Sequence, residues 1–222
     1  MKVLITIIIV IFIMYLLLKI YKNYSVNMRI QVHPKEKEKI LKNMYHKIVD
    51  LANKHNIKIC ILYGTLLGYI REKNLICHDY DIDFFIEEKY QNILSKLLLD
   101  AYKYDDEYNV IIDNNYFRRK IVVIHKNTSL NADIDIFTVD KKSNTMYRHT
   151  NCLIVKYLYD GDTCRCKYPI DWFYPLKEVY FLGKKVYIPN NINDTLKCEY
   201  GKNYMISDKI CNKSCTKCKM RK

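Results

Sequence analysis

Glycine is scarce in this chain, five in 222 residues, with only four prolines and one tryptophan. There is no internal repeat and no long low-complexity block, which excludes solenoids, collagen-like chains and long flexible linkers. The basic residues gather into no single stripe. A net charge of +13 would ordinarily point to nucleic acid. Here the lysines are scattered, and the joint richness in Lys, Ile, Asn and Tyr is what an A+T-rich genome produces. Bulk composition is the favoured source of the charge. An acidic partner (a nucleotide, an anionic lipid or a polyanionic glycan) is the alternative.

Half of the residues are hydrophobic, enough for one core after any membrane segment is set aside. Residues 3–18 are almost wholly apolar, interrupted only by Thr6 and Tyr15. That run is close to the roughly 17–25 residues that span a bilayer. No small-residue cleavage site follows it, so an uncleaved single-pass anchor is favoured over a removed signal peptide. Lys19, Lys22 and Arg29 after the run against Lys2 before it would put the body in the cytosol. Four N-x-[S/T] sequons, at Asn23, Asn127, Asn193 and Asn212, lean weakly towards a lumenal one.

Cysteine is plentiful, nine in all, and seven crowd the C-terminal third. Cys211, Cys215 and Cys218 have metal-ligand spacing, and Cys198 would complete a four-thiolate zinc set. Disulfides are the favoured use in an oxidising compartment, zinc gains in a reducing one, and free thiols are the third alternative.

Two of the five glycines fall in one run, Leu62-Tyr63-Gly64-Thr65-Leu66-Leu67-Gly68-Tyr69-Ile70-Arg71, followed by His78-Asp79-Tyr80-Asp81-Ile82-Asp83. The first run reads as a strand-to-helix turn, with Thr65 as the cap and the helix N-terminus favouring anions. Gly64, Thr65 and Gly68 would cradle a phosphate, and the fork of Arg71 would grip two of its oxygens. The ordinary use of Arg71 is a surface ion pair with Glu72 or Glu88. Asp81 and Asp83 are two apart on a strand and so share a face. Two hard oxygen ligands on one face suit Mg²⁺ or Mn²⁺. A third acid should come from a neighbouring strand. Asp135, in Ile134-Asp135-Ile136-Phe137, is the first choice and Asp133 the reserve, because aspartate is disfavoured inside strands. Asp79 would orient a ligand or Arg71. His78 would touch a base or a phosphate, or be structural. Lys120 and His125 read as exposed strand positions.

The remaining pattern gives a helix opening at His33-Pro34 with Ile40, Met44, Ile48 and Leu51 inward, and a strand over 57–62. Strands follow over 81–86, 108–112, 120–125, 132–139 and 153–159. A helix covers 88–102 with Ile93, Leu94, Leu97 and Leu98 inward. A hairpin at 179–188 turns on Gly183-Lys184, and a short helix at 191–200 stops at Gly201. The order predicts an α+β domain with one mixed central sheet flanked by helices. The expected organisation is an anchor over 1–22, a linker over 23–33, a catalytic domain over 34–205 and a Cys/Lys-rich tail over 206–222.

The segment from Tyr63 to Gly68, Arg71, and the residues from Ile76 to Asp83 resemble the LicD and fukutin family. So do Asp133-Ile134-Asp135-Ile136-Phe137, Trp172-Phe173-Tyr174-Pro175-Leu176-Lys177, Ile188-Pro189-Asn190-Asn191 and Tyr200-Gly201-Lys202-Asn203-Tyr204. The likeness runs in order from about residue 40 to about residue 205. It departs from the family pattern at Cys77 and His78, where proline and tryptophan are usual, and at Tyr80 in place of a common extra aspartate. The resemblance implies a nucleotidyltransferase-like fold. It further implies transfer of phosphocholine or an alditol phosphate from a CDP-activated alcohol to a glycan or glycoconjugate hydroxyl. On that likeness Asp81, Asp83 and Asp135 hold the metal, and the body of the enzyme faces an ER- or Golgi-type lumen. Nucleic acid is not the expected partner. The rivals are a nucleotidyltransferase acting on another substrate, and a membrane-tethered binding protein with a degenerate site. Retention of all three acids argues against the latter.

Overall fold

The computed structural model describes residues 6, 9, 10, 12–17, 32–115, 118–148, 167–207, 209–211 and 218–220. The expected anchor over 3–18 is covered only in part. Among the described residues no helix is long and apolar enough to cross a membrane. The strand expected over 153–159 lies outside the described residues, as do the side chains of Cys211, Cys215 and Cys218. Cys198 is disulfide-bonded, while Cys60 and Cys77 are not.

Helix α1 (Pro34–Lys54) begins as expected at proline, with His33 as the cap: its ring Nδ1 accepts from the Lys35 amide at 3.3 Å. Its inward stripe includes Ile40, Leu41, Met44, Tyr45, Ile48 and Val49, the 3.6-residue spacing that lays one face on a sheet. The following apolar stretch is buried from Ile59 to Leu62, yet only β1 (Cys60–Ile61) pairs as strand. Helix α2 (Tyr63–Arg71) and β2 (Asp81–Glu87) follow, then a single 3₁₀ turn and α3 (Gln91–Ala101). On α3, Leu94 and Leu98 are buried and Leu97 packs partly, but Ile93 is 53% exposed, contrary to the expected inner face. Strands β3 (Tyr108–Asn115), β4 (Arg118–His125), β5 (Asn131–Asp140) and β6 (Thr145–Arg148) complete the first half. The second half holds β7 (Lys167–Pro169), α4 (Ile170–Phe173), β8 (Lys177–Phe181), β9 (Lys184–Ile188) and α5 (Ile192–Tyr200). A short β10 (Lys209–Cys211) and β11 (Cys218–Met220) pair with each other. The β8–β9 turn lies on Leu182-Gly183, both at positive φ (49° and 79°), one residue earlier than expected. That is the geometry a two-residue hairpin needs.

Among the described residues nine strands form one mixed sheet, with main order β3-β4-β5-β2-β1-β9-β8 and with β6 and β7 continuing from β5. The β2–β5 and β1–β9 pairs are parallel; the others are antiparallel. The architecture is therefore the α+β sheet with flanking helices that the pattern predicts. On one face, Phe84 stacks on Tyr45 of α1, ring centroids 5.7 Å apart. On the other, Phe85 packs edge-on to Phe137 and to Phe173 of α4, and the last two rings meet at a tilt. Aspartates continue that second face towards the N-terminal ends of β2 and β5.

Candidate active site

The parallel pairing of β2 with β5 sets Asp81 beside Asn131, Asp83 beside Asp133, and Phe85 beside Asp135. Paired residues of neighbouring strands point to the same side. Asp81, Asp83, Asp133 and Asp135 therefore share one face. Asp135, the expected third acid, lies one pleat deeper than Asp83; Asp133 is the residue directly across from it. Burial raises the Asp83 carboxyl well above the ordinary carboxylate range, and Asp81, Asp133, Asp135 and Asp79 push it the same way. Five carboxylates thus share one electrostatic field.

The local chain explains how they are brought so close. Helix α2 opens without a side-chain cap on Leu62 and without an acid in its first turn. The carboxylate of Asp83 supplies the cap instead: the Gly64 amide donates to Asp83 Oδ2 at 3.1 Å. A Cβ on Gly64 would stand 2.7 Å from Asp79 Oδ2 and 3.3 Å from Asp83 Oδ2, so a side chain there would push the Asp79 carboxylate aside. Thr65 is not the helix cap that the sequence suggests. It is buried, and its hydroxyl accepts from the Asp83 amide at 2.8 Å, tying α2 to β2. Gly68 serves packing: a Cβ there would meet the Asn74 carbonyl oxygen at 2.5 Å. The left-handed backbone residue of this turn is Tyr63 (φ 46°), not a glycine.

Two cations answer the acids of β5. Arg148 clasps Asp135 in two places, Nε to Oδ2 at 2.9 Å and Nη2 to Oδ1 at 3.2 Å. Lys120 donates to Asp133, which also accepts from Asn131 Nδ2 at 2.8 Å. Lys120 and His125 are buried, against the expectation of exposed strand positions. His125 bonds Thr128 and its ring packs edge-on to Tyr108. Among the described residues no three His, Cys, Asp or Glu side chains are already gathered as a cation cage. The acids of β5 are turned to Arg148 and Lys120 instead. In chemical kind the donors suit Mg²⁺ or Mn²⁺: hard oxygens in excess over the cations that face them.

A cavity of about 290 Å³ opens beside the acids, with Gly64, Arg71, His78 and Asp79 on one side and Tyr200 and Asn203 on the other. Arg71 is largely buried, and its Nε is paired with Glu72 at 2.9 Å. The expected surface pair therefore exists while the same side chain lines the cavity. Thr65 and Gly68 stand behind this wall rather than in it. Tyr200 follows from the capped start of α5 at Asn191, whose Oδ1 accepts from the Asp194 amide. Burial, then Asp83 and Asp79, drive the Tyr200 phenol upward.

Arg148 and Lys120 carry no local sequence signal for these places, while Tyr200 and Asn203 stand in the stretch Tyr200-Gly201-Lys202-Asn203-Tyr204 that shares in the family resemblance. Only the register of distant strands and the path of the chain after α5 bring them here. A buried chain of contacts extends from Arg148. Its Nη1 donates to the Tyr63 hydroxyl at 3.3 Å and its guanidinium lies 5.3 Å from that ring's centroid. Tyr168 donates to Glu199 of α5 and lies within the field of Tyr63.

The family described as LicD/FKTN/FKRP, nucleotidyltransferase domain, matches residues 56–191. An uncharacterised protein of Rickettsia prowazekii (strain Madrid E), RP689, is 32% identical over 162 residues, covering 68% of this chain and 50% of its own. The chain thus spans half the length of that relative. Among solved structures, ANT(2'')-Ia with adenylyl-2''-tobramycin is similar at 13% identity and a TM-score of 0.42, covering 67% of this chain and 68% of its own. An antigenic nucleotidyltransferase-like protein from Paracoccidioides brasiliensis is similar at 11% identity and a TM-score of 0.36, covering 71% and 62%.

Proposed function

The chain belongs to the LicD/FKTN/FKRP nucleotidyltransferase-domain family, and from that premise we propose a metal-dependent transferase that moves a phospho-alcohol from a CDP-activated donor to a glycan or glycoconjugate hydroxyl. The alcohol is an alditol or choline. The observation that carries this reading is the face shared by Asp81, Asp83, Asp133 and Asp135 beside a cavity that Arg71 lines.

Asp81 and Asp83 would hold Mg²⁺ or Mn²⁺ with one acid of β5. Asp135 is the choice by resemblance, and Asp133 by its place opposite Asp83. The ion would supply neutralisation of charge on the transferring phosphate. Arg71 binds diphosphate oxygens through the ends of its fork, since only its Nε is paired, to Glu72, among the described residues. Gly64 keeps its amide on Asp83 and so fixes the carboxylate that faces the ligand. The acceptor oxygen attacks the phosphorus that carries the alcohol, the bond to CMP breaks, and CMP leaves. The acceptor's proton passes to an aspartate of the cluster. The apolar residues 3–18 support tethering of this body to a membrane.

Asp83→Asn tests the site. It is expected to lower Mn²⁺-dependent turnover of CDP-alcohols by about 100-fold or more, read by mass spectrometry of products across a donor panel, with an unchanged far-ultraviolet circular dichroism spectrum. Parental turnover in the variant would remove Asp83 from the mechanism.

A further inference from the structure

Two unlike stretches of chain line the cavity. The stretch 64–79 brings the charged Arg71, His78 and Asp79 with the apolar Leu67 and Ile76. The other begins at the end of α5, which stops at Gly201 (φ 80°), and brings Tyr200, Asn203, Tyr204 and Ile206. The Ile206 amide donates to the Asn203 carbonyl at 2.8 Å, which closes the turn and fixes where Asn203 sits. The Tyr204 hydroxyl is already engaged, donating to Asn193 Oδ1 at 3.0 Å. What Tyr204 offers a ligand is therefore its ring. Tyr200 is 45% exposed and lines the cavity where α5 ends. Among the described residues the Tyr200 hydroxyl and the Asn203 carboxamide have no hydrogen-bond partner, although both line the cavity.

This division matches one half of the proposed donor better than the other. A polyol or a choline headgroup offers no extended flat face. A nucleoside offers a planar ring with donors and acceptors confined to its edge, which stacks on aromatic side chains and is read by an amide. We infer that the end of α5 and the turn 201–207 form the nucleoside subsite of this cavity, in which a pyrimidine ring seats against Tyr200 and Tyr204 and the Asn203 carboxamide reads its edge. The phosphates then run inward to Arg71 and the acids, and the alcohol projects beyond them towards the acceptor. This inference rests on the transferase reading and adds to it the residues that recognise the leaving nucleotide.

Isothermal titration of the full chain with CMP and, separately, with pyrophosphate, both in Mn²⁺, tests it. Asn203→Ala and Tyr204→Leu are each expected to weaken CMP about tenfold and to leave pyrophosphate affinity unchanged. Tyr204→Phe, which keeps the ring, is expected to bind CMP as the parent does. Should Asn203→Ala unfold, the isosteric Asn203→Asp reads the same contact. Parental CMP affinity in the Asn203 and Tyr204→Leu variants would overturn the subsite while leaving the transferase reading intact. So would equal losses of CMP and pyrophosphate in variants that remain folded. A parent protein that binds neither ligand would remove both.

Discussion

Asp83 concentrates the conflict between folding and function in this chain. It is enclosed, faces four other aspartates, and holds its proton to higher pH than an unfolded aspartate does. A folded group that binds its proton more tightly than the unfolded one costs stability as it ionises. The contribution of Asp83 to the stability of the metal-free protein is therefore fully present below the ordinary carboxylate range. It is lost as pH rises from there through the raised value. Asp83→Asn keeps an oxygen for the Gly64 amide and deletes the charge. The variant is expected to melt at a higher temperature than the metal-free parent at neutral pH, and with a flatter pH dependence; identical melting curves across that range would show that the acids do not strain the fold. The pair Asp81 and Asp83 was legible in the sequence because a strand's two-residue period leaves no other arrangement. The true role of Thr65 was not. A threonine near a helix start is an ordinary cap, and only the approach of β2 draws its hydroxyl to the Asp83 amide.

At the scale of elements, strands β2, β4, β5 and β6 build the acid face together. The alternation of Asp133 and Asp135 with apolar neighbours announced β5, and its residues sit where that pattern requires. What the pattern could not supply is register. Lys120 reaches Asp133 because β4 runs antiparallel to β5 with Lys120 opposite Asp135. Arg148 reaches Asp135 because β6 places it opposite Phe137, on the same face. Ile93 shows the same limit on a helix: it belongs to an apolar cluster in sequence, yet α3 is rolled so that Leu94 and Leu98 take the interior. Arg148→Met leaves the Asp135 side chain, 5% exposed, without its clasp. Breaking such a pair from one side costs about 3 kcal/mol, and the partial exposure of Arg148 places the expected loss at or below that figure. Urea denaturation reads it. A variant as stable as the parent would mean that Asp135 finds another partner.

For the whole molecule, the sheet is a device for bringing residues from 64 to 207 around one cavity. Its class and its flanking helices were legible from the alternation of periodic segments. The long-range parallel pairings β2–β5 and β1–β9 were not, since nothing local distinguishes them from antiparallel ones. The β2–β5 pairing converts four separate aspartates into one anionic face, in a chain whose overall charge is strongly positive. The central claim is that this face receives a divalent cation next to a nucleotide. Anomalous X-ray diffraction from crystals of the protein grown with Mn²⁺ and CMP tests it most directly. The account predicts a manganese peak bonded to Asp81, Asp83 and one acid of β5, with the CMP phosphate beside Arg71. Manganese bound elsewhere, with Arg148 and Lys120 still holding the β5 acids and no ion between the strands, would contradict it.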